Sequence, residues 1–139
     1  MNADDSLALY GLWPAPESLK KIRVLLGEET RKERRSQGEG DTDLMKSFCV
    51  QLFNAGHAED ALLVWSAKSA SMDSYASIDL ALVCVSGLEG ARRFLADHGS
   101  AQAQRAHELL SQCIGDEEFD ASGLDATTNF YARYYGAGD

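Results

Sequence analysis

The sequence predicts an all-α fold in which antiparallel helical hairpins stack as a small bundle or a short helical-repeat array. Three observations carry this expectation. Both prolines, Pro14 and Pro16, lie near the start, so the rest of the chain lacks the residue that most strongly breaks helices. After position 40 the apolar residues recur at spacings of three and four, which puts them on one side of a helix. Glycine and serine punctuate those runs where helix ends need them. At 139 residues the chain suits one domain and buries enough surface to fold without a disulfide or metal staple.

Residues 1–16 read as an irregular lead-in whose Tyr10, Leu12 and Trp13 are apolar enough to pack on the body; residues 17–139 read as one helical domain. Pro16 suits the first turn of a helix. Leu19, Ile22, Leu25 and Leu26 form one stripe and predict a helix from Glu17 to about Arg35. Gly27 weakens its middle by about 1 kcal/mol relative to alanine. Residues 28–35 carry almost no apolar side chain and read as a solvated extension or a frayed end. Residues 36–41 read as a flexible linker.

Asp41 or Thr42 suits the cap of the next helix, in which Leu44, Met45, Phe48, Cys49, Leu52 and Phe53 make a broad apolar face. Gly56 fits a left-handed C-terminal position. A return helix from about Ala58, with Ala61, Leu62, Val64 and Trp65, would complete an αα-hairpin. Ser77 suits the cap of a very apolar segment, Ile78 to Val85. Its residues fit a strand period as well as a helix, and helix is preferred because its flanks are helical. Leu88, Ala91, Phe94 and Leu95 then form a helix ending at His98-Gly99. Ser100 caps another, with Ala103, Ala106, Leu109, Leu110, Cys113 and Ile114, closed by Gly115. Phe130, Tyr131, Tyr134 and Tyr135 suggest a short final helix.

The formal net charge is −9. Such an acidic chain repels nucleic acid and membrane surfaces and favours a protein partner with a basic surface. The exception is residues 17–35, with seven Lys or Arg against four Glu. Within it Arg31, Lys32, Arg34 and Arg35 sit among Glu28, Glu29 and Glu33, the pattern of a salt-bridged helix end. Residues 1–10 contain Asp4 and Asp5 and no basic residue, the wrong charge for a secretion signal. No apolar run reaches the roughly 20 residues that cross a bilayer, so a cytoplasmic location is expected.

Nothing in the sequence spells out a reaction. Cys49, Cys84 and Cys113 each lie in an apolar run and read as small buried hydrophobes in a reducing compartment. His57, His98 and His107 have no His or Cys three or four residues away, so no metal or cofactor is expected. Nucleophile elbows, phosphate-binding loops and zinc-protease motifs are absent. The expectation is a binding protein with no catalytic residue.

Two stretches offer candidate contacts. Ser66 to Asp79 crowds hydroxyl residues between apolar helices and would present Lys68, Asp73, Tyr75 and Asp79 to a partner. Trp65 would anchor that surface if partly exposed and is core if buried. Near the end, Tyr131 and Tyr134 (with Phe130 and Tyr135) lie close to Asp116, Glu117 and Glu118. Rigid aromatic area beside carboxylates suits recognition of a basic protein.

Two resemblances follow from these features. The hairpins around Gly56 and Gly87, with small alanines at Ala61 and Ala91, resemble tetratricopeptide-type packing over about residues 43–114. Size, acidity, helical build and the lack of catalytic motifs together resemble bacterial immunity proteins. That second likeness implies a toxin inhibitor whose acidic, aromatic-bearing surface covers a basic toxin site. The alternative is a helical adaptor or chaperone that holds a peptide between hairpins.

Overall fold

The structure, a computed structural model, describes residues 1–136. Its helices are α1 (Ala3–Tyr10), α2 (Pro16–Arg35), α3 (Thr42–Ala55), α4 (Ala61–Lys68), α5 (Met72–Ser77), α6 (Gly87–His98), α7 (Ala101–Ser111) and α8 (Ala121–Tyr134). Three 3-10 turns intervene, at Ala58–Asp60, Leu80–Val83 and Glu117–Phe119. No strand occurs among the described residues, and the helices pack on one another around one apolar cluster. The all-α expectation therefore holds.

The N-terminal segment is helical, which corrects the expected irregular lead-in. Asn2 and Asp5 form a reciprocal capping box, each side chain accepting the other's backbone N–H at 2.9 Å. This satisfies two donors at the helix start and nucleates α1. The short helix is then held by tertiary contacts. Gln51 donates its amide to the carbonyls of Ser6 and Gly11 at 3.2 and 2.9 Å, and Asn54 donates to Leu12 at 2.8 Å. Leu12 is buried as expected, whereas Trp13 projects into solvent.

α2 begins with Pro16 in its first turn, where the missing N–H costs nothing. Its second half is an ordered helix with residues 28, 31, 32, 34 and 35 exposed, which fits the solvated extension and not the frayed end. Glu33 is fully buried, and its carboxylate accepts from Gly38 N at 3.0 Å, Gly40 N at 3.2 Å and Ser71 Oγ at 2.6 Å. Glu29 accepts from Asp41 N at 3.0 Å. The segment expected as a flexible linker is thus pinned at three backbone amides. A buried carboxylate persists only with such donors around it.

α3 is the central helix. Asp41 caps it by accepting from Leu44 N at 3.0 Å, and Ser47 through Phe53 are buried without interruption. A helix buried on every side carries apolar residues all round. Gly56 ends it at φ 78°, as expected, a conformation open to glycine without strain. α3 packs mainly on α1 and α2, while α4 packs mainly on the Leu80–Val83 turn, α2, α5 and α7. The α3–α4 hairpin is therefore not the main pairing.

Residues 78–85 are neither α-helix nor strand, which corrects the preferred reading. Ile78 and Asp79 are extended and Leu80–Val83 forms a 3-10 turn. Ile78 and all of Ala81 to Val85 are buried. An α-helix at the rim would turn one face to water; this irregular path sends consecutive side chains inward. Just upstream α5 replaces the expected loop, because Ser71 and Ser74 cap each other's backbone N–H at 3.0 Å.

α6 and α7 do form a hairpin. Gly99 at φ 82° and Ser100, whose Oγ accepts from Ala103 N at 3.1 Å, join two helices that touch along their lengths. So short a joint makes them antiparallel. α8 starts nine residues before Phe130 and is longer than expected. Asp120 caps it, accepting from Gly123 N at 2.9 Å. A Cβ on Gly123 would collide with the carbonyls of Glu117 and Glu118, so glycine there lets the helix start lie directly on the preceding turn.

Candidate functional site

The first candidate stretch is divided by burial. Trp65 is only 1% exposed, and its indole N–H donates to Gln102 at 3.0 Å; it is core, not a surface anchor. Lys68 is 6% exposed, which overturns its expected role as a contact residue. Its ammonium donates to the carbonyls of Tyr75 and Ile78 and sits 4.1 Å from the centre of the Tyr75 ring. The end of α5 leaves carbonyls without helical partners, and a cation is a fitting donor for them. Burial pushes the Lys68 pKa down, and the Asp79 charge partly offsets that. Asp73, Tyr75 and Asp79 remain exposed.

The C-terminal stretch keeps more of its expected surface. Asp116, Glu117 and Glu118 are exposed, although Asp116 also accepts from Glu118 N at 3.0 Å and so shapes the turn. Tyr134 is 56% exposed and Phe130 50%. Tyr131 is 3% exposed, which removes it as a direct contact. Its ring lies edge-on to Phe130, with centres 5.0 Å apart, and its hydroxyl donates to Asp79. Burial, then the bond to the Asp79 carboxylate, pushes the Tyr131 pKa up, so the phenol stays protonated and remains a donor. The Tyr134 ring stacks along that of Phe130, with centres 5.9 Å apart, and Lys46 lies 5.0 Å from the centre of the Tyr134 ring, a cation–π contact.

The bond from Tyr131 to Asp79 joins the two stretches across 52 residues. It produces one shallow groove of about 460 Å³, bordered by Asp79, Glu118, Thr127, Phe130, Tyr131 and Arg133. Neither Asp79 nor Glu118 forms a salt bridge among the described residues. The groove therefore presents two carboxylates without a salt bridge, one of them tied to the Tyr131 hydroxyl, beside an exposed aromatic ring. Phe130, Thr127 and Gly123 are spaced three and four apart, so one helical face lines it. That stripe was legible only once α8 is known to start at Ala121; the reading from Phe130 onward omitted its first half.

Other chemistry-bearing groups are occupied or dispersed. Burial raises the Cys49 thiol pKa and pushes Cys84 up to about 12, which disfavours the reactive thiolate. Among the described residues no three His, Cys, Asp or Glu side chains gather as a metal site. In the basic segment Lys32 pairs with Glu29 at 2.9 Å and Arg35 with Glu39 at 2.8 Å, while Arg34 donates to the carbonyl of Ser66 at 2.9 Å. No described helix is long and apolar enough to cross a membrane. No protein family, curated protein or solved structure matches this chain.

Proposed function

We propose that this chain is a non-enzymatic protein-binding domain of the immunity type, which covers a basic face of a toxin partner with the acidic, aromatic surface along α8. One observation supports this most: Phe130 and Tyr134 stand about half exposed on α8, with Asp79 and Glu118 bordering the same groove as Phe130. Exposed rings at a rim of carboxylates supply apolar contact in the centre and attraction around it. The formal charge of −9 steers a basic partner toward the molecule over a Debye length, about 8 Å at physiological salt.

The test is co-purification with the product of the neighbouring gene, followed by titration calorimetry. Phe130→Ala is expected to weaken the complex by about 1–3 kcal/mol, roughly five- to 150-fold. Glu118→Lys is expected to slow association and steepen no part of the salt dependence. Unchanged affinity in both variants, with a partner bound at micromolar concentration, would move the interface elsewhere. Absence of any binding partner at that concentration would sink the reading.

A further inference from the structure

We infer that the groove between α8 and Asp79 is a seat for a single arginine side chain of the partner. The inference deepens the protein-binding reading and rests on it. Three features of the groove match a guanidinium in particular. Phe130 offers an exposed ring, and a planar, weakly hydrated guanidinium stacks on an aromatic face better than a compact ammonium does. Asp79 is held in place because the Tyr131 hydroxyl donates to one of its oxygens, Oδ2; the other oxygen is left for a ligand. Glu118 borders the same groove without a salt-bridge partner among the described residues. Two carboxylates at one groove can take the several N–H donors that a guanidinium presents in a fixed fork.

Arg133 borders the groove as well, yet it bonds to neither carboxylate: among the described residues no hydrogen bond or salt bridge links it to Asp79 or Glu118. It is the local rival for the seat, and its removal is expected to raise affinity for an added cation.

The experiment is amide chemical-shift mapping of the full chain with three capped tripeptides, glycines flanking a central arginine, lysine or glutamine. The arginine peptide is expected to move amides at 118, 127 and 130–131, and to bind about two- to fivefold more tightly than the lysine peptide. The glutamine peptide is expected to leave them unmoved. Glu118→Gln and Phe130→Ala, both at exposed side chains, should each abolish the preference for arginine. Asp125→Asn, outside the groove, should preserve it. Equal response to arginine and lysine would overturn the inference and leave only charge attraction. So would shifts that appear on raising protein concentration without peptide, which would assign the groove to a second copy of the chain. If no peptide shifts these amides but a whole partner still binds through Phe130, the arginine seat fails while the protein-binding reading stands.

Discussion

The junction around Glu33 and the helix α8 solve opposite problems. At the junction one buried carboxylate accepts from Gly38, Gly40 and Ser71, drawing α2, the turn before α3 and the start of α5 to a single point. The shared acceptor ties the three segments to one another, so they order together. α8 has fourteen residues, of which only Leu124 and Tyr131 are buried. Its chief neighbour is the Glu117–Phe119 turn, and Tyr131 is its hydrogen-bonded link to Asp79. The body is tied together by its apolar cluster and by cross-linking polar groups, while the peripheral helix keeps Phe130 and Tyr134 available. A surface that binds must leave some of its apolar area unused in folding.

This contrast can be broken from either side. The largest effect is expected at the core of the body: Trp65→Ala removes a fully buried indole and should cost about 3–5 kcal/mol in urea denaturation. Glu33→Ala removes the buried acceptor shared by three donors and should cost about 2–4 kcal/mol; a loss under about 0.5 kcal/mol would show that the junction is not cross-tied. Tyr131→Phe removes the link from α8 to Asp79 and should cost about 1 kcal/mol. Phe130→Ala should change stability by less than about 0.5 kcal/mol while weakening partner binding, which separates the two roles most sharply. Hydrogen exchange offers a check without mutation: α8 amides should open before those of α3.

Tyr131 of α8 and Tyr135 at its C-terminal cap also give a pH signature. Tyr131 and Tyr135 have pKa values raised first by burial, and the Cys49 thiol is raised by the same cause. Each is an acid that the folded state keeps protonated after the unfolded chain has released the proton. The stability from these groups is therefore fully present below the unfolded values, about 8.5 for a thiol and about 10 for a phenol, and falls as pH rises through the folded values. Lys68 runs the other way, since its depressed pKa makes charging in the folded state unfavourable at lower pH. Thermal melts from about pH 8 to 11 should show net loss of stability, and Tyr131→Phe should flatten that slope. A flat profile in the parent chain would contradict the burial of these groups.

Much of the helical skeleton was legible locally. The stripe from Leu19 to Leu26, the Asp41 cap, the left-handed Gly56 and the Ser100 cap all act within a turn or two of sequence. Serine pairs were harder. Ser71 and Ser74 cap α5 without the usual Glu or Gln at the third position, so the start of that helix read as loop. The candidate surfaces were split for a different reason. Trp65, Lys68 and Tyr131 look like contact residues by type, and their burial depends on Gln102, on the end of α5 and on Asp79, at separations of 37, 7 to 10 and 52 residues.

By itself the sequence determined the helical class, most helix ends and the acidic exterior, because periodicity, capping and charge are short-range properties of the chain. The tertiary structure alone decided which aromatic residues stay outside, that Glu33 lies inside, and that Asp79 meets α8. Those outcomes depend on which distant donors and apolar faces arrive together. Burial and hydrogen-bond satisfaction are set by the packed whole.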